Sequence, residues 1–307
     1  MPVRRQPKPR PPRPQPAAGA LQILTAANLA AIPWLVHGFS TRQGGFSKKY
    51  GGHALNLGLT PEDTKAAVER NRAAFVAAVT GGEAWPVESV RQIHSDLIWR
   101  RPEPLAPAVQ PVLAGDGLVT DAPGCLLAIR TADCLPLLLV DKKRRAIGAF
   151  HAGWRGTLQR IAEKGVGEMR RWFGSAPRDL EAAIGPGIHA CCYEVGEEVR
   201  EKFLAQFAYG EELFTVEKDS DPIRERYPLL FLVARAPGHI EPFLPVRIKL
   251  DLVEANRRQL LAAGLRARQI MASPLCTACR TELLFSHRAE KGVTGRLMAV
   301  AGIRPGR

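Results

Sequence analysis

The sequence holds no apolar run approaching the roughly 20 residues that a membrane-spanning helix requires, which excludes a helical membrane protein. It also lacks an RNA-binding signature or a basic stripe studded with aromatics. The net charge of +13 over 307 residues therefore reads as a solvated basic surface, open to small anions, with nucleic acid an unlikely partner. Five of those charges (Arg4, Arg5, Lys8, Arg10 and Arg13) fall within residues 1–14, where no acid accompanies them, leaving +8 on the remainder. Six cysteines are too few to staple a chain of this length, and no internal repeat is present. The basic N-terminus runs into proline, not into an apolar segment, so no secretory leader is expected. Reduced thiols and a cytoplasmic setting are the expectation.

What remains is an ordinary globular composition, 46% apolar and 24% charged, long enough to bury a full core. Residues 1–18, rich in proline, arginine and glutamine, are expected to be a disordered tail. Residues 19–307 are expected to form a single catalytic domain. Residues 209–245, with mixed charge and five prolines, are expected to be an irregular surface excursion. Periodicity predicts helices over 19–31, 61–79 (opened by Thr60), 193–207 and 250–263, and a helix capped by Thr157. Strands are predicted at 35–39, 87–93, 118–120, 180–184, 268–272 and 297–301. Alternating strands and helices indicate a layered α/β fold.

The sharpest local signal lies at residues 125–157. Two apolar runs, Leu135–Val140 and Ala146–Phe150, flank the tetrad Lys142-Lys143-Arg144-Arg145, the pattern of a β-hairpin. A hairpin implies a mixed sheet. A turn centred near Lys143 sets Cys134 opposite Ala152, one step from His151, at the open end. Thiolate beside imidazole is a metal pair or a nucleophile–base pair. His94 also stands at the end of a predicted strand. Together, His94, Cys134 and His151 offer three N/S ligands with one position left open, the pattern of a catalytic zinc. The alternative for the set is a buried thiol and hydrogen-bonded histidines.

Taken together, several motifs resemble the YfiH-like laccase-domain family. They are His37-Gly-Phe-Ser-Thr-Arg42, Gln92-Ile-His94, Asp116-Gly-Leu-Val-Thr120, Thr131-Ala-Asp-Cys-Leu-Pro136 and His151-Ala-Gly-Trp-Arg-Gly156. Ala183-Ile-Gly-Pro-Gly187, Cys192-Tyr-Glu-Val195, Cys276-x-x-Cys279 and Ser286-x-Arg288 extend the match across residues 34–303. The resemblance implies a zinc-dependent purine nucleoside phosphorylase that also deaminates adenosine, with one zinc held by His94, Cys134 and His151. The older family name implies a multicopper polyphenol oxidase. A four-copper site needs about ten histidines, many in His-x-His pairs, and this chain has seven histidines and no such pair. A mononuclear site could still take copper in vitro.

Deamination needs an activated water and a proton carrier, and Asp96, Asp116 and Asp133 are the candidates. Each reads equally well as a turn or strand-end aspartate. Phosphorolysis needs an anion site. Gly153-Trp154-Arg155-Gly156-Thr157 at a predicted helix start, and Arg42 in a glycine loop, are candidates. Trp154 could stack on a purine. Asn56 and Gln92 complete the substrate-binding candidates. Cys276-x-x-Cys279 has half of a structural zinc spacing with no second pair nearby in sequence, so packed thiols are expected there. Cys191-Cys192 is read as lining, not as a disulfide. His287 stands where relatives usually carry an aromatic, which bears on substrate preference. The competing reading of the Cys134–His151 pair is a cysteine hydrolase acting on a peptidoglycan precursor.

Overall fold

A computed structural model of the protein describes residues 21–102, 113–218, 226 and 246–306. The tail expected over 1–18 and most of the excursion expected over 209–245 lie outside the described residues. In chain order the first half comprises β1 (Ile23–Leu24), α1 (Ala27–Ala30), β2 (Leu35–Ser40), β3 (Gln43–Ser47), α2 (Lys65–Thr80), β4 (Val87–Ser89), β5 (Ile98–Arg100), β6 (Gly117–Thr120), β7 (Leu126–Thr131), β8 (Leu135–Asp141) and β9 (Ala146–Ala152). The second half comprises α3 (Trp154–Leu158), α4 (Ile161–Phe173), β10 (Leu180–Ile184), β11 (Glu194–Val195), α5 (Glu197–Gln206), β12 (Phe214–Lys218), β13 (Val246–Leu250), α6 (Leu252–Ala262), β14 (Ile270–Ala272) and β15 (Leu297–Ile303).

Two large sheets stack face to face. One has the order β1-β2-β15-β7-β4 and the other β14-β10-β8-β9-β6-β5, with β11-β13-β12 as a small third sheet. Antiparallel pairs dominate, and β4/β7, β5/β6 and β10/β14 run parallel, so the α/β fold has the mixed sheets that the hairpin implied. Leu138, Val140, Ile147 and Ala149 pack between the large sheets against Leu127, Ile129, Ala299 and Ala301. The alternate residues Leu135, Leu137, Leu139 and Phe150 face Ile161, Val166 and Met169 of α4 and Leu260 of α6. Helix α2 covers the outer face of the five-stranded sheet through Phe75 and Val76. Strands buried on both faces must be apolar at every position, which is why β8 and β9 read as unbroken runs. Among the described residues no helix is long and apolar enough to cross a membrane.

The hairpin differs from expectation by one residue. Asp141 pairs with Ala146, Pro136 with His151 and Leu135 with Ala152. The cause is Asp141, whose Oδ1 accepts from the amides of Lys143 (2.8 Å) and Arg144 (2.9 Å) and closes a four-residue loop centred between them. Cys134 thus lies one residue beyond the last pair.

The helix predicted after Thr157 also differs. Gly153 is the N-cap, α3 ends at Leu158, and Arg160 at φ 65° turns the chain into α4. Thr157 is buried inside α3, where its Oγ1 accepts from Asn256 Nδ2 of α6 at 2.9 Å. Helix α2 starts four residues later than expected, because the Thr64 side chain caps it. The predicted helix 19–31 is reduced to α1 preceded by β1, and the predicted 193–207 helix begins only after β11. The predicted strand 87–93 stops at Ser89, and the helix expected from 250 begins at Leu252, capped by Asp251. Residues 210–213 form a 3₁₀ turn that leads into β12, so the start of the expected irregular excursion is regular.

One packing detail fixes the site. The ring of Phe150 occupies space left by Gly117, Gly148 and Gly165, where added Cβ atoms would fall 2.7, 2.6 and 2.9 Å from it. Burying this side chain contributes about 1.5–3 kcal/mol and seats the end of β9, where His151 follows.

Candidate metal centre and its cavity

His94, Cys134 and His151 converge at one end of the six-stranded sheet. Their ligating atoms all lie within 4.8 Å of one another. The His94 Nε2 to Cys134 Sγ distance is 4.0 Å, and the two imidazole rings stand edge to face with centroids 4.9 Å apart. His151 is the penultimate residue of β9, Cys134 precedes β8, and His94 sits in a loop after β4 with φ 59°. Gly153 leaves the room this needs: a Cβ there would lie 2.9 Å from Cys134 Sγ and 3.2 Å from the His94 ring.

Asp116 is the brace. It is fully buried, and its carboxylate accepts from His151 Nδ1 (2.8 Å), His94 N (3.0 Å), Ser95 N (2.6 Å) and Ser95 Oγ (2.8 Å). Burial alone would raise its pKa, but the bonds from His151 and Ser95 outweigh it and hold the group at about 2. The Nδ1 bond leaves His151 Nε2 free for a metal, an arrangement characteristic of ligating histidines. Burial opposes charge on Cys134, yet the adjacent His151 draws its thiol down to about 6. Burial likewise disfavours the imidazolium, yet the Cys134 thiolate and Asp116 push His151 up to about 9. Each partner therefore favours the charged form of the other, a thiolate beside an imidazolium. Two imidazoles and a thiolate suit zinc-class divalent ions, and this donor set could hold one.

The three donors open into a cavity of about 570 Å³, within the range of small-molecule sites. Four arginines line it, Arg91, Arg130, Arg288 and Arg296, and Asp133 is the one carboxylate among the lining residues. Leu59, Ile188, Tyr193 and His287 supply apolar and flat surfaces. Burial lowers the Arg130 pKa, and neighbouring Arg72 and Arg296 lower it further. A concentration of guanidinium groups beside one carboxylate favours an anionic ligand.

The other candidates from the sequence divide by location. Gln92 lines the cavity and bonds the Arg130 backbone at both ends of its amide, at 2.7 and 2.9 Å. Asn56 is fully buried behind the wall, where its Oδ1 accepts from the amides of Gly58 (3.1 Å) and Arg296 (2.9 Å). Asp133, at φ 96°, accepts from Thr277 Oγ1 (2.7 Å), Ser286 Oγ (2.6 Å) and the Arg288 amide (2.7 Å). Asp96 is turned to α4 and ion-paired with Lys164. Arg42 is not among the lining residues: it pairs with Glu290 at 3.0 Å and lies over the Phe285 ring. Arg155 stacks on Trp154 at 4.4 Å, and neither residue lines the cavity. Thr157 is held by α6, as described above. Sequence reasoning did not select Arg91, Arg130 or Arg296. The available signal was Arg130, an arginine closing the apolar run of β7.

A family model described as multi-copper polyphenol oxidoreductase laccase matches residues 36–304. A relative from Deinococcus radiodurans named purine nucleoside phosphorylase is 37% identical over 288 residues, which is 93% of this chain and 94% of that protein. A protein from an unknown prokaryotic organism, named adenosine deaminase RL5, is 36% identical over 173 residues, 56% of each chain. The crystal structure of YlmD from Geobacillus stearothermophilus superposes with a TM-score of 0.73 at 31% identity, covering 95% of this chain and 98% of that one. With the model matched along most of its length, the chain belongs to the YfiH-like family, described as multi-copper polyphenol oxidoreductase laccases.

Proposed function

We propose that the protein is a zinc-dependent purine nucleoside phosphorylase that also deaminates adenosine at the same centre. The observation that carries this reading is that His94, Cys134 and His151 line one cavity together with four arginines. A nucleoside fits the volume, and phosphate suits the arginines. Relatives with the names purine nucleoside phosphorylase and adenosine deaminase support the same assignment.

In the proposed reaction Arg91, Arg130 and Arg296 bind phosphate and hold one oxygen at the ribose C1′. The glycosidic bond breaks, the phosphate oxygen bonds to C1′, and the base departs with the bonding electron pair and takes up a proton. Adenosine, inosine and guanosine are the proposed substrates, and ribose 1-phosphate is the shared product. Tyr193, Ile188 and His287 are placed to enclose the base. Asp133, at the cavity wall, is the proposed proton carrier, and Asp116 keeps both histidines in register. A metal on the three donors would supply a Lewis acid and lower the pKa of a bound water.

The thiolate–imidazolium pair also favours a second reading, a cysteine hydrolase with Cys134 as nucleophile and His151 as base. One experiment separates them: incubate metal-assayed protein with adenosine, with and without phosphate, beside Cys134→Ala and a chelated sample, and resolve the products chromatographically. Adenine formed only with phosphate, and lost on chelation, supports the phosphorylase. Inosine formed without phosphate supports deamination. Intact adenosine in every sample overturns the proposal.

A further inference from the structure

The Cys276-x-x-Cys279 turn does not stand alone, as it does in the sequence. Folding brings it against Cys191 and Cys192, and the four Sγ atoms all lie within 4.8 Å of one another. Cys279 Sγ is 3.5 Å from Cys191 Sγ and 3.2 Å from Cys192 Sγ. We propose that these four cysteines form a second, structural metal centre, a zinc(II) held by four thiolates, separate from the His94–Cys134–His151 site.

The geometry favours a metal over a cross-link. Zinc–sulfur bonds of about 2.3 Å in a tetrahedron place the sulfurs about 3.8 Å apart, close to the spacings here. A disulfide needs about 2.05 Å, so Cys279 would have to close on Cys191 or Cys192 by more than an ångström and strand the other two thiols. The ligand set follows the pattern of structural sites, two pairs from two loops, one of them with the Cys-x-x-Cys spacing. Sulfur donors alone select zinc over hard cations, and four protein ligands leave no open position for catalysis.

The backbone around the cluster is already built. Gly187 and Cys276 form a parallel bridge, Thr277 N donates to Gly187 O at 2.9 Å, and His189 N donates to Cys276 Sγ at 3.4 Å. Amide donation to sulfur steadies a thiolate ligand. Cys191 and Cys279 are exposed, so an ion can reach the cluster. The two loops it would clamp carry Ile188 and Tyr193 of the cavity wall, and Thr277, which holds Asp133. The second ion would thus steady this part of the cavity lining, where Arg288 lies over the Tyr193 ring, without touching substrate.

Metal analysis of the full chain purified under reducing conditions tests this. Two zinc per chain are expected in the wild type, one in C134A, one in C276S/C279S and none in the triple variant. If C276S/C279S does not fold, native alkylation read by mass spectrometry decides on the wild type. Cys191, Cys192, Cys276 and Cys279 should be protected and should become reactive on addition of a chelator. A zinc content in C276S/C279S equal to that of the wild type, or alkylation of all four cysteines without chelator, would overturn the proposal.

Discussion

The two walls of the cavity are built differently. The metal wall rests on rigid elements: His151 lies near the end of a strand buried at every position, Cys134 adjoins its partner strand, and Asp116 ties the His94 backbone to the His151 ring. The arginine wall rests on side-chain amides reaching to backbone, Gln92 to Arg130 and Asn56 to Arg296. Chemistry that fails when a ligand moves by an ångström is placed on the sheet. Charge that only has to surround an anion is placed on loops and a strand end.

Breaking the metal wall has the largest expected effect. Cys134→Ala should empty the centre by metal analysis and lower turnover by on the order of a thousandfold, since a Lewis acid contributes several kcal/mol and each 1.4 kcal/mol is tenfold. Asp116→Asn keeps all three ligands and removes their brace. A loss of about 10- to 100-fold in metal affinity is expected by competition with a chromophoric chelator. Unchanged affinity would show that the strands alone hold the ligands.

On the other wall, Arg130→Ala removes a charged donor contributing about 1.5–3 kcal/mol. The KM for phosphate should rise about tenfold or more, while metal content and phosphate-independent deamination stay at wild-type levels. A fall in deamination as well would mean the two walls are not independent. The most gradual effect expected is a linkage between metal and pH. Between pH 7 and 9 the metal-free Cys134 is already thiolate, with its pKa at about 6, while His151, with its pKa at about 9, still carries a proton. Metal must displace that proton, so affinity should rise about tenfold per pH unit and level off above 9. Calorimetry in buffers of different ionisation enthalpy counts the released proton directly.

The same contrast explains what could be read from the sequence. The hairpin is written in local apolar runs, so Cys134 and His151 could be brought together before any coordinates, and the one-residue error came from the Asp141 turn. The arginines come from positions 91, 130, 288 and 296, and no periodicity tells which of many arginines a fold will gather. Arg42 and Arg155 looked equally suitable, and their charges are spent on Glu290 and on Trp154. The break between α3 and α4 was hidden because Arg160, not glycine, takes the left-handed backbone. The pairing of Cys191 and Cys192 with Cys276 and Cys279 spans more than 80 residues and needs the parallel β10/β14 contact to appear.

Asp116 has one more consequence. Its bonds hold the His94 loop and the His151 ring through protein atoms alone, so the shape of the centre does not depend on what fills it. A zinc finger collapses when emptied, because its ion is its core. Here the ion can leave a socket that stays open behind it. The centre should therefore survive stripping and reloading with its shape kept, and an ion bound there becomes an exchangeable part.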